Sequence, residues 1–162
     1  MKHIWIINQF ASLPSESSGT RHFSLSKYFY KFNWSATIIA GSIEHSTSKQ
    51  RLRDNQKVKK EILDKVTFFL IKLKKHKSTS LKKRILNMIL FFIKLLIIKL
   101  DKYIDKPDII IGSTISPLAA LGALMISWRY RVPFIYEVRD LWPETLIDNG
   151  AVPRARTVDL HW

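Results

Sequence analysis

Residues 3–9 read His3-Ile4-Trp5-Ile6-Ile7-Asn8-Gln9, a short apolar run with a β-branched bias that stops at two amides, the pattern of a buried strand. Outward from it, residues 8–20 form a polar stretch with Pro14, four serines and Gly19, which predicts a loop. Residues 21–32 then place Phe23, Leu25, Tyr28, Phe29 and Phe32 at mixed three- and four-residue spacings, which predicts a helix. Residues 37–40 read as a second short strand closed by Gly41. Strand, loop, helix, strand is the opening of a parallel α/β sheet.

The rest of the chain repeats the alternation. Residues 43–65 are polar and irregular, read as a loop with some helix toward its end, and residues 66–73 (VTFFLIKL) read as a strand. After a basic, serine-containing break over 74–80, residues 81–104 predict one long helix, with an apolar face at Leu86, Ile89, Leu90, Ile93, Ile97 and Leu100. Residues 108–112 (DIIIG) predict a buried strand ending in a glycine turn, and residues 118–130 a helix whose Ala119, Ala120, Gly122 and Ala123 allow tight packing on a sheet. Residues 132–138 predict a last strand running into Arg139-Asp140-Leu141-Trp142-Pro143-Glu144. The fold class expected is α/β, a Rossmann-like doubly wound parallel sheet.

With 162 residues there is room for one domain with a sizeable core. Apolar residues make up 46% of the chain, ordinary for a folded protein. The absence of cysteine excludes a disulfide framework and a thiolate metal site. Charge is the unusual feature: a formal +14, of which 18 Lys+Arg against 5 Asp+Glu, a difference of +13, fall between Lys49 and Lys106. A basic block interleaved with apolar residues points to an anionic surface, lipid or nucleic acid, as partner. The N-terminal apolar run is too short for a secretory leader, and the stretch 85–100 carries Asn87, Lys94 and Lys99, which leaves it short of a membrane span.

Ligands of open parallel sheets bind at the carboxyl ends of strands, which singles out three loops. The first ends in Ser18-Gly19-Thr20-Arg21-His22, where a glycine, a helix N-terminus and a guanidinium suit an anion. A capped turn with an exposed arginine accounts for the same residues, since neither a G-x-G-x-x-G nor a G-K-[ST] spacing is present. The second runs from Gly112 and Ser113 to Pro117. The third sets Glu137, Arg139, Asp140 and Glu144 within eight residues after a strand, with Trp142-Pro143 stiffening the backbone. Solvated surface ion pairs are the alternative for that cluster.

Together, Ile7-Asn8-Gln9, Gly19-Thr20-Arg21-His22, Arg84-Ile85-Leu86-Asn87-Met88, Lys106-Pro107-Asp108, Ile111-Gly112-Ser113 and, above all, the run from Pro133 through Glu137-Val138-Arg139-Asp140-Leu141-Trp142-Pro143-Glu144 to Thr145 resemble the N-terminal domain of family 4 glycosyltransferases. The group it resembles is similar to the aminosugar transferases of bacterial capsule, O-antigen and colanic-acid synthesis. The resemblance covers about residues 1–150 and implies the N-terminal, acceptor-side half of a GT-B fold. It implies metal-independent, retaining transfer from a nucleotide-sugar donor to a lipid-linked acceptor, with no cofactor. Gly19, Thr20, Arg21 and His22 would face the donor diphosphate. Asp140 and Arg139 would lie near the reacting centre, with Glu144 shaping their loop, and Gly112, Ser113 and Glu137 would contact substrate.

Three departures accompany the resemblance. Ser17-Ser18 stand where relatives carry further glycine, and Ser116 near where they carry histidine. Residues 151–162 do not resemble the family's continuation, so the chain is expected to be truncated, with the donor domain absent and the fragment inactive by itself. The alternative is a non-catalytic, membrane-associated acceptor module that recruits a separate donor subunit.

The basic segment 81–106 has two explanations: a core helix with a solvated basic rim, or a peripheral contact with the anionic inner face of the plasma membrane from the cytoplasm. Nucleic acid is not the expected partner, because Phe68, Phe69, Phe91 and Phe92 sit inside apolar runs and are not spaced for base stacking.

Overall fold

A strand covered on both faces must be apolar at odd and even positions alike, and the computed structural model shows this for the first strand. It describes residues 1–16, 20–44, 46–75, 81–114 and 116–139. In chain order these form β1 (Lys2–Ile7), α1 (Arg21–Tyr30), β2 (Trp34–Gly41), β3 (Val58–Leu63), β4 (Val66–Ile71), α2 (Leu81–Ile97), a 3-10 turn at Leu100–Lys102, β5 (Ile109–Ser113), α3 (Pro117–Tyr130) and β6 (Phe134–Glu137). On β1, Trp5 and Ile7 join one core cluster with Phe91 and Leu95 of α2 and Ala119, Ala123 and Ile126 of α3. Ile4 and Ile6 point the other way and join Phe23 of α1, Ile38 and Phe68. Helices thus cover both faces of one sheet.

The sheet order is β3-β4-β2-β1-β5-β6. All neighbours pair in parallel except β3 and β4. Taken alone, the parallel strands run third, second, first, fourth, fifth in chain order, the Rossmann-like arrangement, with its switch point between β1 and β5. The doubly wound α/β expectation therefore holds.

Two expected elements need correction. Residues 43–65 contain the edge strand β3, which turns into β4 through Asp64 and Lys65, both with positive φ (45° and 68°), as a tight two-residue hairpin of right-handed twist requires. Its sequence, VKKEIL, looked like solvated loop because an edge strand tolerates charge on both sides and is protected by it from further pairing. The second correction concerns α2, which ends at Ile97 instead of continuing to 104. Its core side is Asn87, Phe91 and Leu95. Of the expected apolar face, Leu86, Ile89, Ile93 and Ile97 are exposed.

Small residues let α3 sit close to the sheet and to α2. Gly112 in β5 faces α3: a Cβ there would stand 3.0 Å from Ala123 Cβ, 3.0 Å from the Phe134 ring and 3.2 Å from Ala120 Cα. That crowding is a packing reason for glycine at this position. Ser116 caps α3 by accepting a hydrogen bond from Ala119 N, and Pro117 follows at the first turn.

At the amino end of the sheet, the His3 ring is buried between Ser35 Oγ (2.5 Å from Nδ1) and Thr37 Oγ1 (2.9 Å from Nε2). Burial pushes its pKa down, outweighing the pull of Asp105 and Asp108. The unfolded chain, with an ordinary histidine near pH 6.5, then binds the proton more readily than the fold. Stability is expected to fall as pH drops from about 7 through 6.5 toward the lowered folded value. Urea melts across that range should show the slope, and His3→Gln should remove it; an unchanged slope would refute the assignment.

Candidate functional site

The carboxyl ends of β1, β5 and β6 bring together residues more than a hundred positions apart. Glu137, the last residue of β6, lies opposite Ser113 of β5 in the parallel register. Its Oε2 accepts from His22 Nε2 at 2.7 Å, and its Oε1 pairs with Arg21 at 3.0 Å. Both basic partners stand in the first turn of α1, which the loop after β1 delivers to this edge.

The orientation of His22 follows from a chain of donors and acceptors. Asn8 Oδ1 accepts from the Phe10 amide at 3.0 Å, so the Asn8 Nδ2 group faces His22 Nδ1 and donates to it at 3.2 Å. An accepting Nδ1 assigns the ring proton to Nε2, which donates to Glu137. The His22 side chain is 5% exposed and that of Glu137 14%. The carboxylate is thus anchored by a buried, tautomer-defined imidazole, while Arg21 is 61% exposed.

Burial pushes the Glu137 carboxyl upward. The hydrogen bond from His22, then the Ser113 hydroxyl and the Arg21 guanidinium, outweigh it and hold Glu137 below the usual carboxylate range. Ser113 Oγ is buried and makes no hydrogen bond of ordinary geometry to the described residues. Thr114 extends the β5–β6 contact: its amide donates to Glu137 O at 3.1 Å and its hydroxyl accepts from Arg139 N at 2.8 Å. This sets the backbone at Arg139, whose side chain is exposed.

The loop that carries α1 to the site is held by an ion pair that the sequence does not announce. Arg51 and Glu16 are almost fully buried (side chains 6% and 9% exposed) and meet through two contacts, Nε to Oε1 at 2.7 Å and NH2 to Oε2 at 2.5 Å. Arg51 NH1 also donates to Gly41 O, and Glu16 Oε2 accepts from Leu13 N. The loops after β1 and β2 are therefore tied together by one bidentate fork.

Of the expected site residues, Arg21, His22, Ser113, Glu137 and Arg139 gather at one sheet edge. Thr20 stands at the α1 N-terminus without a side-chain cap, and no acid occupies the first turn, so the first helical amides keep their partial positive charge. Gly112 faces α3. Gly19, Asp140 and Glu144, like the tail 151–162, lie outside the described residues. Asn8, named in the sequence as the start of the first loop and within Ile7-Asn8-Gln9 but given no role, is the site residue that went unassigned; its signal was its position directly after the central strand at the switch point. Among the described residues no group of three His, Asp or Glu could hold a metal ion, and no helix is long and apolar enough to cross a membrane.

No protein-family model matches the chain, and a search of curated proteins returns no match.

Proposed function

We propose that the chain is the acceptor-side, N-terminal half of a GT-B glycosyltransferase resembling family 4, acting in surface-polysaccharide synthesis. In the reaction, the bond between the sugar's anomeric carbon and the donor diphosphate breaks. A bond to an acceptor hydroxyl oxygen forms, and the hydroxyl proton leaves with the diphosphate. The observation that carries the proposal is the convergence of Arg21, His22 and Glu137 at the switch-point edge of a Rossmann-ordered sheet. An exposed guanidinium at a helix N-terminus suits the departing diphosphate. The Glu137–His22 pair holds that helix end where Arg139 and the following loop begin.

The test is to supply the nucleotide-sugar domain of a related transferase as a fusion and assay transfer of labelled sugar to a polyprenyl-linked acceptor. Transfer is expected, with Arg21→Ala strongly reducing it. Folded fusion protein without transfer would count against the proposal, and full activity in Asp140→Ala would remove Asp140 from the reacting centre.

A peripheral membrane position belongs to the same proposal, and α2 supports it. Its side away from the core presents Ile85, Ile89, Ile93 and Ile97 in successive turns, the last 72% exposed, beside exposed Lys82, Lys83 and Arg84. An apolar stripe about 18 Å long with a basic flank fits the boundary of an anionic leaflet, where each lysine contributes on the order of 1 kcal/mol. Flotation with vesicles containing phosphatidylglycerol, but not with phosphatidylcholine alone, is the expected result, lost in Ile89→Asp/Ile93→Asp. Absent flotation with tight, salt-sensitive oligonucleotide binding would reverse the choice of partner.

A further inference from the structure

A second basic feature lies at the opposite end of the same sheet edge, away from Glu137. β4 and β6 are four strand spacings apart in the sheet, about 19 Å. Beyond the carboxyl end of β4, an open cleft of about 640 Å³ is walled by the segment 50–54, the segment 72–75 and Lys94 of α2. Five of its lining residues are cations: Arg53, Lys72, Lys74, Lys75 and Lys94. The one lining carboxylate among the described residues, Asp54, stands in solvent and meets Lys72 only at 4.0 Å.

The walls are built in advance of any ligand. Asn87, buried on α2, clamps the backbone at Lys74 from both sides, accepting from its N at 3.2 Å and donating to its O at 2.8 Å. Gln50 Nε2 donates to Leu73 O at 2.9 Å, and Leu73 N donates to Ser42 Oγ at 2.8 Å. Lys94 Nζ donates to Lys72 O at 2.6 Å, and Lys72 Nζ donates to Arg53 O and Asp54 O. Spending ammonium protons on carbonyls holds the two lysines in place without cancelling their charge. Each ammonium has three donors, so Lys94 keeps two and Lys72 one. Burial, then neighbouring Lys72 and Lys74, push the Lys94 pKa below the ordinary lysine range. An anion in the cleft would relieve that repulsion.

We propose that this cleft is a binding site for a phosphate-bearing anion, of the charge and size of a diphosphate, held by Lys94, Lys72 and Lys75. Compact lysine ammoniums converging from two elements suit a multiply charged, tetrahedral group. Among the described residues no aromatic ring lines the cleft, so they offer stacked bases no platform there. The same chemistry is offered by a free diphosphate and by a lipid phosphate headgroup. Ile93, exposed beside Lys94 on α2, places the cleft next to an apolar helix face.

Isothermal titration of the full chain with sodium diphosphate, in magnesium-free buffer, is the first arm. Lys94→Met is expected to weaken saturable binding about ten-fold or more, the loss of one charge-assisted contact. Lys75→Gln, at an exposed position, should weaken binding in the same direction and serves if Lys94→Met does not fold. The double variant Lys2→Gln/Lys31→Gln, which removes the same kind of charge at exposed positions outside the cleft, should bind as the parent does. The second arm is flotation with phosphatidylcholine vesicles carrying phosphatidic acid. Flotation that sodium diphosphate competes away assigns a lipid headgroup, whereas diphosphate binding with no such flotation assigns a free ligand. No saturable diphosphate binding, or equal losses in the Lys2/Lys31 variant, would overturn the site in favour of a general polycation effect.

Discussion

Arg51→Met is expected to lower the unfolding temperature by about 6–12 °C, the equivalent of about 3 kcal/mol in a domain of this size. The reason is asymmetric. The fork between Arg51 and Glu16 was taken out of water on folding, so the pair itself adds little net stability. Removing one partner leaves a buried carboxylate with, among the described residues, only the Leu13 amide donating to it. Methionine keeps much of the stem's volume and none of its five donors. Gly41 O also loses its donor. Arg51→Lys should recover only part of the loss, because an ammonium cannot reproduce a two-point fork. Removing both charges with Arg51→Met/Glu16→Leu should be less damaging than Arg51→Met alone. Thermal melts of the three variants measure this; a shift under about 2 °C for Arg51→Met would mean the pair is not buried in solution.

Glu137→Ala is expected to cost about 2 kcal/mol, because it leaves the buried Nε2–H of His22 without an acceptor. Glu137→Gln keeps an acceptor for His22 and loses only the charge toward Arg21. Arg21 is largely exposed, so that loss should be well under about 1 kcal/mol. The two variants also separate by pH. A carboxylate whose folded pKa is depressed stabilises the fold fully above its unfolded value, about 4.3, and this contribution is lost as pH falls through the lower folded value. Denaturant titrations between pH 7 and pH 3 should therefore show a steeper acid loss for the parent than for Glu137→Gln. Parallel curves would mean that Glu137 is not held by His22 and Arg21.

Much of this site was readable residue by residue, but not as an arrangement. Arg21, His22, Glu137 and Arg139 could be named from the sequence because each stands at the end of a recognisable strand or the start of a helix. Their pairing could not, since 115 positions separate His22 from Glu137 and only the β1–β5–β6 order closes that distance. Asn8 was passed over because an amide after a strand is common; its role appears only when the Phe10 amide and the His22 ring are both in reach. Arg51 and Glu16 read as ordinary surface charges in two polar loops, and nothing local marks them as buried.

The sequence by itself determined the alternation of strands and helices, the apolar strands β1, β2, β4 and β5, and the small-residue helix α3. These depend on short-range periodicity and on the burial of whole side chains, which composition along the chain records directly. Tertiary structure alone decided which side of α2 faces inward. An apolar residue occurs at nearly every position from Met88 to Ile98 except Lys94, so periodicity offered several faces. The docking of Phe91 and Leu95 against β4 and α3 selected one and left Ile89, Ile93 and Ile97 outside. The same docking turned Lys94 toward the end of β4, where it meets Lys72. Charges far apart in the chain become a cleft only when the sheet and the helix that covers it bring their ends together.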